Sequence, residues 1–255
     1  MGKPLRDVVV VAANGDHTGC VLARHLAGHE LPVRTYEPTQ LASLVTTIDG
    51  DEFLVDRVRV GAVLWRAMPR AWLSVGFQTA DQPFADNETA AVWLSGMRTA
   101  TVVAINAFSA TAWYGGGQWP VWRHLLRAHR VAVSPMQFGS CMARACGHWL
   151  PLSGFALHAL PDEIAARALG ITSTTAIPTN SALVVCGRVL GPEVSANAQA
   201  AAAALATDGI GLARIILDQE QRILAVDPLP ACSEEDIQQI SHRLAEVFHA
   251  HLLAR

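Results

Sequence analysis

Lysine is almost missing from this chain: Lys3 is the only one among 255 residues, against eighteen arginines. A GC-rich genome trading Lys for Arg accounts for the bias, but the chemical consequence stands regardless. Arginine is a planar fork and lysine a compact point charge, so the two are not equivalent phosphate ligands. Any phosphate site that depends on lysine is excluded beyond the extreme N-terminus. Excess charge of either sign is missing too. With 16% charged residues, a net charge of -3 and no Lys/Arg cluster, nothing is present to neutralise a nucleic-acid backbone. No apolar run approaches the roughly 18 residues of a membrane span; the alanine-rich stretch 196–206 is too short and too weakly apolar. The G-x-S-x-G and HExxH signatures of hydrolases and metalloproteases are absent. Five cysteines (Cys20, Cys141, Cys146, Cys186, Cys232) form an odd, scattered set without a secretory signal, so free thiols and a cytoplasmic location are expected.

What is present is a compact globular composition, 51% apolar, in a length that holds one large or two modest domains. Residues 7–13 (DVVVVAA) are a β-branched run suited to a strand buried on both faces. A polar loop at 14–19, a helical pattern through Leu26 and a strand at 32–36 complete a β-α-β opening with a right-handed crossover. Further strands are predicted near 46–51, at 59–65 and at 100–106, and helices at 84–97, capped by Asp86 or Asn87, and 120–129. Periodicity weakens over 136–155, and 161–169 suggests a short helix. Residues 182–189 predict a strand or strand pair turning at Gly187. An alanine-rich helix at 195–207, a two-strand segment at 211–230 and a final helix capped by Ser233 follow. The fold class expected is α/β: an N-terminal Rossmann-like domain over 1–134, then a reduced α+β domain over 135–255.

Several segments carry candidate chemistry. The first β-α turn, residues 14–19 (NGDHTG), places Gly15 and Gly19 where backbone amides could approach a pyrophosphate, and Glu37 ends the second strand where a ribose-binding acid would sit. Its G-x-x-x-G spacing lacks the third glycine, and Asp16 would repel phosphate. The competing reading is a tight turn that binds nothing. Arg66 and Arg70 (RAMPR) follow a strand and could grip an acidic peptide or small carboxylate, or close an internal ion pair with a residue such as Glu88. Residues 113–122 (WYGGGQWPVW) join Trp113, Tyr114 and Trp119 to a triple glycine, either a partner-binding loop or aromatics tucked into the core. Cys141, Cys146 and His148 have the wrong spacing for a zinc knuckle.

The order of features resembles the ATP-grasp ligases that modify ribosomal peptides and, more loosely, the RimK-like glutamate ligases. The matching segments are the opening strand, Asp-bearing loop and helix; the strand running into VLWRAMPR at 63–70; Phe84 and Glu88 beginning a helix; the strand ending at Asn106; the short strand near 131–135; LVVCGRVLGP at 183–192; and GLARIILDQEQRILAVDPLP at 211–230. In that family an acid on one strand and a Glu-x-Asn-Pro on the next hold magnesium on ATP. The resemblance matches Asp218 to the first acid, puts Ala225 at the Glu and Asp227 at the Asn. The family also uses two phosphate-binding lysines, which a chain whose one lysine is Lys3 cannot supply, and the interval from 135 to 180 is short for its lid.

The resemblance therefore implies a degenerate, shortened member, with no cofactor retained, acting as a binding or regulatory subunit in peptide modification or cofactor biosynthesis. Its partner would be another protein or a second copy, with an acidic peptide or small carboxylate as a shared ligand, and neither nucleic acid nor membrane. Two enzyme readings stay open. One is an active carboxylate-amine ligase using ATP with Mg, held by arginines with Asp218 and Asp227. The other is an NAD(P)-binding oxidoreductase using Gly15, Gly19 and Glu37.

Overall fold

A computed structural model describes residues 6–67, 81–106, 119–134, 136–138, 148–150, 171–173, 180–191 and 194–253. The chain forms two compact units, Met1–Phe108 with Ala231–Arg255, and Ser109–Pro230.

The first unit is built on a mixed sheet. The valine run forms β1 (Asp7–Ala12), whose Val8 to Val11 are at most 1% exposed. Helix α1 (His17–Gly28) and β2 (Val33–Tyr36) follow, and β2 lies parallel to β1. After a single 3-10 helix (Pro38–Ser43), β3 (Thr46–Asp49), β4 (Glu52–Val55) and β5 (Val58–Arg66) form an antiparallel meander. Strand β4 was not expected. Asp56 and Arg57 both adopt positive φ (49° and 66°) to close the tight β4–β5 hairpin, and Arg57 stands where glycine normally announces one. Strand β5 continues parallel to β1, and β6 (Val103–Ile105) pairs parallel to β5.

Helix α2 (Gln82–Met97) begins earlier than Asp86 or Asn87, with Asp81 at its N-cap. It buries Trp93 completely against Phe53, ring edge to face at 5.3 Å between centroids. Gly96 is required there, because a Cβ would lie 2.3 Å from the Phe53 ring.

The second unit holds α3 (Trp119–Ala128), then β7 (Met136–Phe138), β8 (His148–Leu150) and β9 (Ile171–Ser173), which make a three-stranded antiparallel sheet ordered β7-β9-β8. Strands β10 (Asn180–Val185), β11 (Arg188–Leu190), β12 (Leu212–Leu217) and β13 (Ile223–Asp227) make an antiparallel sheet ordered β11-β10-β12-β13, with helix α4 (Ala196–Thr207) joining β11 to β12. The β10–β11 turn falls at Cys186–Gly187, both at positive φ, as expected. Alanines of α4 and Trp122 and Leu126 of α3 pack on Val184, Ala213, Ile215 and Val226, one face of that sheet. Small side chains on α4 permit close approach of helix to sheet.

The last helix, α5 (Glu234–Leu253), belongs to the first unit, where it packs on α1. A single boundary near Ser134–Pro135 had placed α5 with the second domain and α3 with the first. Both are the other way round. Val133 bridges Ile223 and Ser134 donates its N–H to the Ile223 carbonyl, which ties 131–134 to the β12–β13 hairpin. His249 Nε2 to the His29 carbonyl (2.9 Å) and His251 Nε2 to the Thr101 carbonyl (3.0 Å) tie α5 to the first unit. Such long-range ties leave no local sequence signal. Among the described residues, no helix is long and apolar enough to cross a membrane, and Cys20, Cys186 and Cys232 are in no disulfide. Cys141, Cys146 and the helix expected over 161–169 lie outside the described residues.

Candidate functional site

Two places carry the chemistry expected from the sequence: the first β-α turn in one unit and the β12–β13 hairpin in the other. At the turn, Gly15 takes φ of 88° and releases the chain toward α1. Asp16 caps that helix, its Oδ1 accepting the Gly19 N–H at 3.0 Å. Parallel pairing of β1 with β5 sets Arg66 beside Ala12. From there its guanidinium grips the same carboxylate with two bonds, Nε to Oδ2 at 2.8 Å and Nη2 to Oδ1 at 3.1 Å. The Arg66 side chain is 2% exposed. A carboxylate thus already stands at the helix N-terminus, where a bound phosphate would need the space and the positive end of the dipole.

Gly19 has a steric reason to be glycine: a Cβ there would sit 2.7 Å from Ala12 Cβ and 2.7 Å from Asp16 Oδ2. Glu37 follows β2 and takes part in a capping box with Gln40 at the start of the 3-10 helix. Gly15, Gly19 and Glu37 shape and cap local elements, and the Asp16 carboxylate stands where a dinucleotide phosphate would bind. Of the two roles open to Arg66, the structure shows an internal pair, with Asp16 rather than Glu88. Arg70, Trp113 and Tyr114 lie outside the described residues. Trp119 opens α3, but its side chain is also outside them.

At the hairpin, antiparallel register decides what the two acids can do. Arg214 stands directly opposite Asp227, Ile216 opposite Ala225, and Leu217 opposite Ile223. Asp218 follows β12 at the turn, four residues beyond Arg214. At about 3.4 Å per residue the two carboxylates are therefore separated by roughly 14 Å of strand. Both ligands of one divalent ion must lie within about 2.5 Å of it, so Asp218 and Asp227 cannot share a magnesium. The expected pairing of these acids at one metal is corrected on that ground. Among the described residues, no cluster of three or more His, Cys, Asp or Glu is placed to hold a metal ion. The residues present at Asp218 and Asp227 do not fit a metal-bound nucleotide.

Asp218 is instead a satisfied structural acid. It is 2% exposed, and its Oδ1 accepts the backbone N–H groups of Glu220 and Arg222, each at 2.9 Å. Its Oδ2 accepts Nε of Arg222 at 2.8 Å. Burial pushes the carboxyl upward, but the Arg222 amide, the Arg222 guanidinium and a bond from Ser134 together outweigh it and leave the pKa below the ordinary 3.8. Arg222 was not singled out in the sequence. Its signal was an Asp and an Arg four apart across a polar turn, which is visible only once that turn is recognised. Asp227 accepts the Leu229 N–H at 3.0 Å. It shares the half-buried face of the sheet with Arg214, Ile216 and Ala225, so an arginine is the direct cross-strand neighbour of this acid.

No protein-family model matches the chain, and no curated protein matches it. Solved structures do. The chain is similar to the ATP-grasp ligase PsnB complexed with minimal precursor, Mg and ADP, at 14% identity and a TM-score of 0.68, covering 96% of this chain and 98% of that one. It is similar to the macrocyclase MdnC bound with precursor peptide MdnA, from Microcystis aeruginosa MRC, at 12% identity and a TM-score of 0.64, covering 96% and 99%. A RimK domain ATP-grasp protein from Sphaerobacter thermophilus DSM 20745 matches at 16% identity and a TM-score of 0.53, covering 96% and 99%. The fold is thus the mixed α/β fold of ATP-grasp ligases. The likeness spans nearly the whole of each neighbour.

Proposed function

We propose that this chain is an ATP-grasp scaffold without ligase chemistry, acting as a binding or regulatory subunit of a partner enzyme in peptide modification or cofactor biosynthesis. The observation that carries the reading is the hairpin register. It holds Asp218 and Asp227 at opposite ends, spends Asp218 on Arg222, and sets Arg214 against Asp227. Nucleotide phosphates need several cations converging on one site, each charge-assisted bond contributing about 1.5–3 kcal/mol. Here one lysine exists and the Arg66 guanidinium faces a carboxylate of its own chain. In this reading the opening unit is a Rossmann-like domain kept for packing, and loss of charged ligands removed the activity. The fold neighbours complexed with precursor peptides support an acidic peptide or a protein bearing one as partner.

Isothermal titration calorimetry with Mg-ATP is the direct test. No saturable heat up to millimolar nucleotide is expected, and micromolar, magnesium-dependent binding would sink the proposal. A second reading draws on the same fold likeness to ligases crystallised with Mg and ADP: an active carboxylate-amine ligase whose phosphate ligands are arginines. ATP-dependent amide formation by the purified chain would establish it.

A further inference from the structure

Helix α1 and the start of α5 enclose a cleft of about 410 Å³ lined by His17, Val21, Arg24, His25, Cys232, Glu234 and Ile237. All seven belong to the first unit, so walls and floor move together. On α1 the lining residues recur at helical spacing and share one face. Val21 (7% exposed) and Ile237 (1%) make an apolar floor, while the charged and imidazole groups stand at the rim. The α5 wall is held in place by its own bonds. Cys232 donates its N–H to Thr18 Oγ1 at 3.2 Å, and Ser233 and Asp236 cap the helix reciprocally, both bonds at 3.2 Å. Asp236 is therefore engaged in the cap, and Glu234 is the acid left facing the cleft.

No ion pair joins the charged groups of the two walls of this cleft among the described residues. Among the described residues, the ion pairs of this unit join Glu52 to Arg6 and Arg59, Asp7 to Arg34, Asp16 to Arg66, and Glu246 to His242 and Arg243. Arg24 and Glu234 are in none of them, so they are more than 4 Å apart across an opening with an apolar floor. A ligand carrying both charges would satisfy both walls at once.

We infer that the α1–α5 cleft binds a small zwitterion, an α-amino acid with an apolar side chain. Its carboxylate pairs with Arg24, with His17 and His25 as further donors, its ammonium pairs with Glu234, and its side chain covers Val21 and Ile237. The volume is within the usual range of a small-molecule site. The inference is independent of the role given to the β12–β13 hairpin.

The test is equilibrium dialysis of the full chain against labelled leucine, repeated with N-acetylleucine and leucinamide as competitors and with Arg24→Gln, Glu234→Gln and, as a control on α5 away from the cleft, Arg243→Gln. Arg24 and Glu234 are surface residues, and circular dichroism verifies that each variant is folded. Saturable leucine binding is expected, weakened at least about tenfold by either cleft substitution, the least a charge-assisted bond contributes. The control should bind as wild type, and both capped competitors should displace leucine poorly. No saturable binding by wild type, or unchanged binding by either cleft variant, overturns the inference. So does displacement by N-acetylleucine as strong as by leucine itself, because that leaves no role for Glu234.

Discussion

Replacing Asp218 with Asn separates a structural acid from a metal ligand. The amide can keep accepting the Glu220 and Arg222 N–H groups through its oxygen, both at 2.9 Å in the wild type. It cannot keep the ionic bond to Arg222 Nε at 2.8 Å, because its NH2 group faces a donor with a donor. Losing a charge-assisted bond at a buried position costs about 1.5–3 kcal/mol, and the donor clash adds to it, so about 2–3 kcal/mol is expected. Asp218→Ala strands two amides and leaves the 25% exposed Arg222 guanidinium with Glu220 as a remaining partner, and about 2–4 kcal/mol is expected.

The assay is urea denaturation followed by circular dichroism, with and without millimolar magnesium. The acid limb of stability supplies a second readout. A carboxyl held below its ordinary 3.8 contributes stability fully above the unfolded value and loses it as pH falls through the folded value. The gap between wild type and Asp218→Asn should therefore be widest near neutral pH and close in acid. If Asp218 were a metal ligand, magnesium would stabilise the wild type by mass action and the variant much less. That result, or an Asp218→Asn variant within about 0.5 kcal/mol of wild type, refutes the reasoning.

Gly19→Ala should lower stability by about 1–3 kcal/mol through overpacking against Ala12 Cβ, read as a fall in the thermal midpoint; an unchanged midpoint would mean the helix does not approach the strand so closely. Asp16→Ala should cost about 3–5 kcal/mol, since it removes the cap and leaves Arg66 buried without its carboxylate. Adding Arg66→Met should recover part of that loss in a double-mutant cycle, whereas a nucleotide-binding loop would tolerate Asp16→Ala. Asn197 bonds the Ala132 N–H (2.7 Å), the Ala132 carbonyl (3.0 Å) and the Gln221 carbonyl (2.8 Å). Asn197→Ala should cost about 2 kcal/mol and speed hydrogen exchange at the Ala132 amide, and exchange unchanged from wild type would show that the bridge does not form.

The elements that local pattern could name are those with a strong period or a clear stop. The valine run of β1, the alanines of α4 behind their Ser195 cap, the Cys186–Gly187 turn and the acidic opening of α5 all fold as their residues prescribe. Strand β4 escaped because its turn uses Asp56 and Arg57 at positive φ, a backbone choice that the Arg57 side chain does not advertise. The site was less legible than the fold. The family resemblance supplied Asp218 and Asp227 as candidates, the residues following a strand supplied Arg66, and the scarcity of lysine bounded what they could bind.

Whether two acids meet depends on strand register, which hydrogen bonding between β12 and β13 settles and which a one-dimensional spacing of nine residues does not contain. Likewise the partner of Arg66 lies 50 positions away, brought near only because β1 and β5 lie side by side. Composition and periodicity determined which elements form and which chemistry was scarce. Tertiary pairing decided which charges face each other, because electrostatic contact falls off over a few ångströms of space and takes no account of distance along the chain.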